Sequence, residues 1–144
     1  MLKNKSAGYI KVIAFGTFDI FHKGHENFLT QAKKYGDFLT VVIGRDKIVK
    51  KIKGKLPRNN ERIRRKKIQE SGLADGVILG HLTDMYASIK KEKPDVIALG
   101  YDQTAFVDKL ASQLLELGLK DVKIKRLKSY RPGIYKSSKI NKNG

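Results

Sequence analysis

Apolar, β-branched runs alternate along this chain with segments of helical periodicity, and that alternation leaves few folds open. "YIKVIAF" (9–15) has the pattern of a buried strand. "HENFLTQAKKYG" (25–36) then places Phe28, Leu29, Ala32 and Tyr35 on one helical face, with Gly36 as a stop. "FLTVVIG" (38–44) predicts a second buried strand, and the polar, Lys-rich segment from Arg45 to Asn59 predicts a loop with at most one short helical turn. "NERIRRKKIQESG" (60–72) predicts a helix ended by Gly72, and "GVILG" (76–80) a short third strand. "TDMYASIKKEKP" (83–94) predicts a helix capped by Thr83 and stopped before Pro94. "DVIALG" (95–100), "AFVDKLASQLLELG" (105–118) and "VKIKRL" (122–127) complete the series as strand, amphipathic helix and strand.

Strands joined by helices of this length imply a parallel sheet covered on both faces, with right-handed connections. The expected fold is α/β: a single Rossmann-like doubly wound domain over residues 1–144, with a five-stranded parallel sheet. Residues 1–8 are expected to be flexible. Residues 128–144 are expected to form a loop and a short C-terminal segment, opening a last helix at Ser137 or Ser138.

Composition removes several classes of function. The chain has no cysteine, so it carries neither disulfides nor thiolate metal sites. It has no long apolar run to span a membrane, and its start lacks the apolar centre of a signal peptide, so the cytoplasm is expected. Lys and Arg number 31 against 14 Asp and Glu, a net charge of +17. That excess suits polyanions, whether nucleotides, phosphorylated metabolites or nucleic acid, but also suits mere solubility.

Location narrows the choice. In an open parallel sheet, ligands bind beyond the carboxyl ends of the strands. The first strand hands over to its helix through "GTFDIFHKGH" (16–25), which therefore lies in that crevice. Gly16 and Gly24 permit close backbone approach. His22 and His25 stand at the helix start, where free N–H groups and the dipole favour an anion. Taken singly, either ring could be a cap or a surface residue. A zinc site is disfavoured, because only His81 remains as a further imidazole.

The string resembles the GTFDxxHxGH signature of the cytidylyltransferase-like nucleotidyltransferase superfamily, matched at Gly16, Thr17, Phe18, Asp19, His22, Gly24 and His25. The resemblance extends from Val12 to Ile140. "PDVIALGYDQ" is similar to the element in which Gly100 and Asp102 would contact the nucleotide. "RPGIYKSSKI" is similar to a late element matched by Arg131, Ser137 and Ser138, and "ERIRRKKI" would supply an arginine, Arg64 or alternatively Arg62.

The resemblance implies an enzyme that transfers a nucleoside monophosphate from a triphosphate to a phosphate monoester and releases pyrophosphate. His22, His25 and Lys53 would be catalytic. Gly16, Thr17, Phe18, Asp19, Gly24, Lys51, Lys55, Arg64, Gly100, Asp102, Arg131, Ser137 and Ser138 would bind the nucleotide. Mg²⁺ would arrive with the triphosphate, with no protein ligand assigned, and a homodimer is expected. The likeness is to the branch of archaeal-type FAD synthases and glycerol-3-phosphate cytidylyltransferases, and the FAD synthase reading, which joins ATP and FMN, is preferred. The alternative is a glycerol-3-phosphate cytidylyltransferase using CTP. The chain lacks the C-terminal cysteines common in the first group, and has Gln103 where the second often has Trp. A basic nucleic-acid-binding module is the non-enzymatic alternative, but no recognised motif supports it and it leaves the histidine string unexplained.

Overall fold

The computed structural model describes residues 8–84, 86–100, 103 and 109–128. In chain order these form β1 (Lys11–Gly16), α1 (Lys23–Lys33), β2 (Phe38–Ile43), α2 (Asp46–Lys53), α3 (Glu61–Ser71), β3 (Gly76–Leu79), α4 (Ala87–Glu92), β4 (Val96–Leu99), α5 (Leu110–Glu116) and β5 (Lys123–Arg126). The strands make one sheet in the order β3-β2-β1-β4-β5, and every pairing is parallel. Strand order reverses between β1 and β4, which opens a crevice at their carboxyl ends.

Alternate residues of β1 explain why the strand is apolar throughout. Val12 and Ala14 pack with Leu29 and Ala32 of α1 and Ile68 of α3. Ile13 and Phe15 point the other way, against Ile89 of α4 and Leu110 and Leu114 of α5. Each fully buried aliphatic side chain of this kind contributes about 1.5–3 kcal/mol. A slip of one residue would exchange the two faces, so the register of β1 is held from both sides. The doubly wound, five-stranded parallel sheet expected from the sequence is the one observed.

Three aspartates fasten the entrance to the sheet. Asp37, Asp75 and Asp95 each precede a strand by one residue. The carboxylate of each accepts from a backbone N–H of the neighbouring strand: Ile10 for Asp37, Leu39 for Asp75 and Lys11 for Asp95, all at 2.8 Å. The N–H of each aspartate donates back to the carbonyl of the same residue. Backbone groups at the start of a ladder are thus paired before the regular pattern begins. Asp75 also pairs with Lys33 at the end of α1.

Two local expectations are corrected. The segment after β2 is not a loop, because Asp46–Lys53 forms α2, which buries Val49 and closes at Gly54 with φ 83°. Its many lysines mask a short apolar face. Thr83 does not cap α4: the His81 ring accepts from the Thr83 and Asp84 N–H groups, the Asp84 carboxylate accepts from Tyr86 N–H, and the helix starts at Ala87. Beyond these, the expected start of the helix at 105, the last helix at Ser137 or Ser138 and the flexible residues 1–7 lie outside the described residues.

Gly36 serves a purpose other than ending a helix through a left-handed turn. Its φ is not positive, and the cap of α1 is Lys34 in right-handed geometry. A Cβ at position 36 would lie 2.7 Å from both the Ile10 carbonyl oxygen and Val12 Cγ2. Gly36→Ala therefore forces the start of β1 to move, and should cost about 1–3 kcal/mol. Urea unfolding should show a lower midpoint at unchanged slope. An unchanged midpoint would mean that the start of β1 yields without cost.

Candidate active site

The turn between β1 and α1 carries most of the chemistry. Phe18 adopts φ 49°, and its ring folds back so that a Cβ on Gly16 would lie 2.5 Å from Phe18 Cε2. Gly16 is thus fixed by the ring above it. His22 is the N-cap of α1. Its Nδ1 accepts from Gly24 N–H at 3.0 Å, and His25 Nδ1 accepts from His22 N–H at 3.4 Å. The two rings perform the reciprocal exchange that Ser and Glu make in an ordinary capping box. They lie stacked, with centroids 3.8 Å apart and planes at 21°. Phe18 meets the His25 ring edge-on at 5.2 Å, and Phe21 lies at 5.9 Å on a nearly parallel plane.

This geometry fixes the protons. An Nδ1 that accepts a backbone hydrogen bond leaves the single proton of a neutral imidazole on Nε2. Burial lowers the His22 pKa below its ordinary value. His25 is held down to about 3 by burial first, then by the charges of His22 and Lys53. At neutral pH the site therefore has two neutral Nε2–H donors beside the positive end of α1. Such a site suits phosphate oxygens.

Cations come from α2 and the loop after it. Lys53, at the end of α2, is close enough to act on the charge state of His25. A cavity of about 230 Å³ lies alongside, lined by Thr17, Asp19, Val49, Lys53, Lys55, Leu56, Pro57 and Arg58. Of the three lysines singled out in the sequence, Lys53 and Lys55 line this cavity, while Lys51 is exposed and does not.

Two of the residues expected to bind the nucleotide, Asp19 and Arg64, make extensive contacts within the protein. The Asp19 carboxylate accepts from the N–H groups of Arg58 and Asn59 at 2.8 and 2.9 Å, and Asn59 Nδ2 donates to Asp19 O at 2.8 Å. This folds the 57–59 loop onto the β1–α1 turn. Arg64 is fully buried. Its Nε donates to Asn59 O, Nη1 to Thr17 O, and Nη2 to Gly44 O and Asp46 Oδ1, all within 2.9 Å. Its guanidinium joins protein segments, whereas Arg62, the alternative, is exposed.

Gly100 ends β4 at the crevice. Arg126 Nη1 donates to Gly100 O and Gln103 O at 2.7 and 2.8 Å, and Gly100 N–H donates to Gln103 Oε1. Arg126 had no motif to mark it in the sequence. Its position at the end of β5, beside β4 in a doubly wound order, is the signal that could have found it. Gln31 of α1 exchanges hydrogen bonds with both backbone groups of Lys128. Asp102, Arg131, Ser137 and Ser138 lie outside the described residues.

Comparison with known proteins places the chain in a family. The cytidylyltransferase-like family model matches residues 13–143. An FAD synthase from Aciduliprofundum boonei is 43% identical over 121 residues, which cover 84% of this chain and 80% of that protein. An FAD synthase from Thermoplasma volcanium is 41% identical over 133 residues, 92% of each chain. A crystal structure described as a lipopolysaccharide core biosynthesis protein from Thermoplasma volcanium superposes with a TM-score of 0.78 at 43% identity, covering 85% of this chain and 99% of that one.

The neutral rings have a consequence for stability. The unfolded chain protonates a histidine near its ordinary value of about 6.5, whereas folded His25 resists until about 3. Stability contributed by this ring is therefore present above about pH 6.5 and is lost as pH falls. The loss is up to about 1.4 kcal/mol per unit. His22 acts with the same sign. His25→Gln should flatten the fall in unfolding free energy between about pH 6 and 4 by roughly 1 kcal/mol per unit. Equal slopes in urea titrations of the two proteins would show that the ring is not held neutral.

Proposed function

The chain belongs to the cytidylyltransferase-like family, and from that premise we propose that it is an FMN adenylyltransferase, transferring AMP from ATP to FMN to give FAD and pyrophosphate. The carrying observation is the stacked pair of neutral imidazole donors at the start of α1, with a nearby cavity lined by both cationic and apolar residues.

A phosphate oxygen of FMN attacks the α-phosphorus of ATP in line. One P–O bond forms, the bond to the bridging oxygen of the pyrophosphate breaks, and its electron pair leaves with the pyrophosphate. The acceptor is already an anion, so no general base is required. Catalysis then consists of positioning and charge stabilisation. His22 and His25 donate from Nε2 to the α- and β-phosphate oxygens, where negative charge grows during transfer. Lys53 sets a permanent positive charge beside them. In this reading the cavity receives the acceptor, where Lys55 and Arg58 suit its phosphate and Val49, Leu56 and Pro57 suit its flavin ring.

Among the described residues, no group of three or more His, Cys, Asp or Glu could hold a metal ion. The Asp19 carboxylate is engaged by two amides. Mg²⁺ in this reading belongs to the substrate, MgATP, and rests on phosphate oxygens. The positive charge of the chain, +17, favours capture of both anionic substrates.

Pyrophosphate release should occur with MgATP and FMN, and FAD should appear in equal amount by chromatography. His22→Ala and His25→Ala should each lower kcat by about 10²-fold or more while circular dichroism stays native. Release with CTP and glycerol 3-phosphate, and none with ATP and FMN, would replace the proposed substrates. Near-normal turnover in both histidine variants would remove the proposed roles of the rings.

A further inference from the structure

The charge of this chain is unevenly spread. Residues 45–67, which hold α2, α3 and the loop between them, carry twelve of the 31 Lys and Arg but only two of the 14 Asp and Glu. A net +10 of the total +17 thus falls in this stretch. Both of its carboxylates are drawn inward. Asp46 Oδ1 accepts from the buried Arg64 at 2.7 Å, and Glu61 Oε2 accepts from Arg45 at 2.9 Å. The two acids also exchange bonds with each other: Asp46 N–H donates to Glu61 Oε1 at 2.8 Å, and Glu61 N–H to Asp46 Oδ2 at 3.3 Å. This exchange joins the starts of α2 and α3, and it leaves no acid of the stretch to balance the outer cations.

Six of these cations form two exposed stripes. Val49 is the buried residue of α2, and Lys47, Lys50 and Lys51 stand on the side away from it. Arg64 and Ile68 are the buried residues of α3, and Arg62 and Lys66 stand opposite them with Lys67 alongside. None of the six side chains enters an ion pair among the described residues. Lys47 and Arg62 directly follow the joined acids, so the two stripes begin at one junction. The arrangement works against the helices that carry it. Lys47 repels Lys50 and Lys51, and Arg62 repels Lys66, at spacings of three and four residues. A cation in the first turn, as at Lys47 and Arg62, also opposes the helix dipole. A surface that served solubility alone would intersperse the two signs.

We propose that the outer face of α2 and α3 docks the phosphate backbone of a nucleic-acid duplex, a partner beyond the proposed reaction and independent of it. The cations span about 6 Å along α2 and about 8 Å along α3. A duplex presents one phosphate charge per about 1.7 Å of its axis, so several phosphates face each stripe. Contacts to the backbone alone carry no sequence information and need no base-reading motif. Residues 45–67 include no aromatic side chain, so the face offers no platform on which single-stranded bases stack. A helix lying on a membrane buries its apolar side in lipid, whereas α2 and α3 turn theirs to the protein through Val49 and Ile68.

Fluorescence anisotropy with a labelled DNA duplex of about 20 base pairs, in the absence of nucleotide, should show binding whose log K falls linearly with log salt at a slope of about −4 to −5. A variant combining Lys47→Gln, Lys50→Gln, Lys66→Gln and Lys67→Gln should bind about 10²-fold more weakly at about 0.1 M salt, with the slope flattened by about 3. The control combines Lys90→Gln, Lys91→Gln, Lys120→Gln and Lys123→Gln, four exposed lysines outside the face whose loss changes the net charge equally. It should lose no more than about threefold, because distant charges are screened at this salt. Circular dichroism and urea midpoints should match the wild type in both variants.

Absence of binding by the wild type, or an equal loss in the two variants, would overturn the proposal. So would displacement of the duplex by MgATP at constant ionic strength, which would put the duplex in the crevice instead. Phosphatidylglycerol vesicles or the matching single strand, bound as tightly as the duplex and equally sensitive to the four substitutions, would overturn it as well. A protein silent towards ATP with FMN whose duplex binding still follows the four lysines would overturn the acceptor reading and leave this one standing.

Discussion

The buried guanidinium of Arg64 is the interaction on which the functional end of the molecule depends. A cation taken fully out of water is tolerated only when hydrogen bonds and an opposite charge replace its hydration. Arg64 meets that demand with carbonyls from three separate segments and the carboxylate of Asp46. Each acceptor sits where a strand or helix ends, where backbone carbonyls lack a regular partner. One side chain therefore satisfies the frayed ends of several elements at once. The turn after β1, the entry to α2 and the start of α3 are held in mutual register around it.

The same economy governs the histidines. A helix start needs acceptors for its first N–H groups, and Ser, Thr, Asp or Asn ordinarily supply them. Here imidazole Nδ1 atoms do so, and the structural task decides the chemical one. Once Nδ1 accepts, Nε2 must donate while the ring is neutral. The cap role, which the sequence presents as an alternative to ligand binding, uses only Nδ1 and leaves the opposite end of the ring as a donor. Asp19 also has a structural partner. Its position within the signature string suggests contact with a ligand, yet its carboxylate fastens the 57–59 loop.

The legible parts of this fold are those in which side-chain pattern and burial coincide. β1, β2 and β4 are apolar on both faces, and α1 shows its apolar stripe openly through Leu29 and Ala32. α2 was hidden because lysines occupy most of its surface and only Val49 is buried. The string from Gly16 to His25 stood out in the sequence, since a glycine-bounded strand end followed by paired histidines has few structural uses. Arg64 could not be distinguished from a solvated neighbour, because the run from Arg62 to Lys67 has no periodicity of charge. Its role depends on three carbonyls, and backbone acceptors leave no mark on a sequence. The aspartates before β2, β3 and β4 escaped notice for a related reason. Each acts on the backbone of a neighbouring strand, a relation visible only once strand order is known.

Placing permanent charge on lysine and only dipoles on the histidines solves a problem of crowding. Two imidazolium rings with centroids 3.8 Å apart, beside Lys53, would repel one another strongly in a half-buried turn. Neutral rings avoid that cost and still offer directed donors. Permanent charge comes instead from Lys53, an exposed residue close enough to act on the charge state of His25. The ring orientation is thus preorganised by the backbone cap. A site built in this way changes little in charge across the neutral range, because His25 does not titrate until far below it.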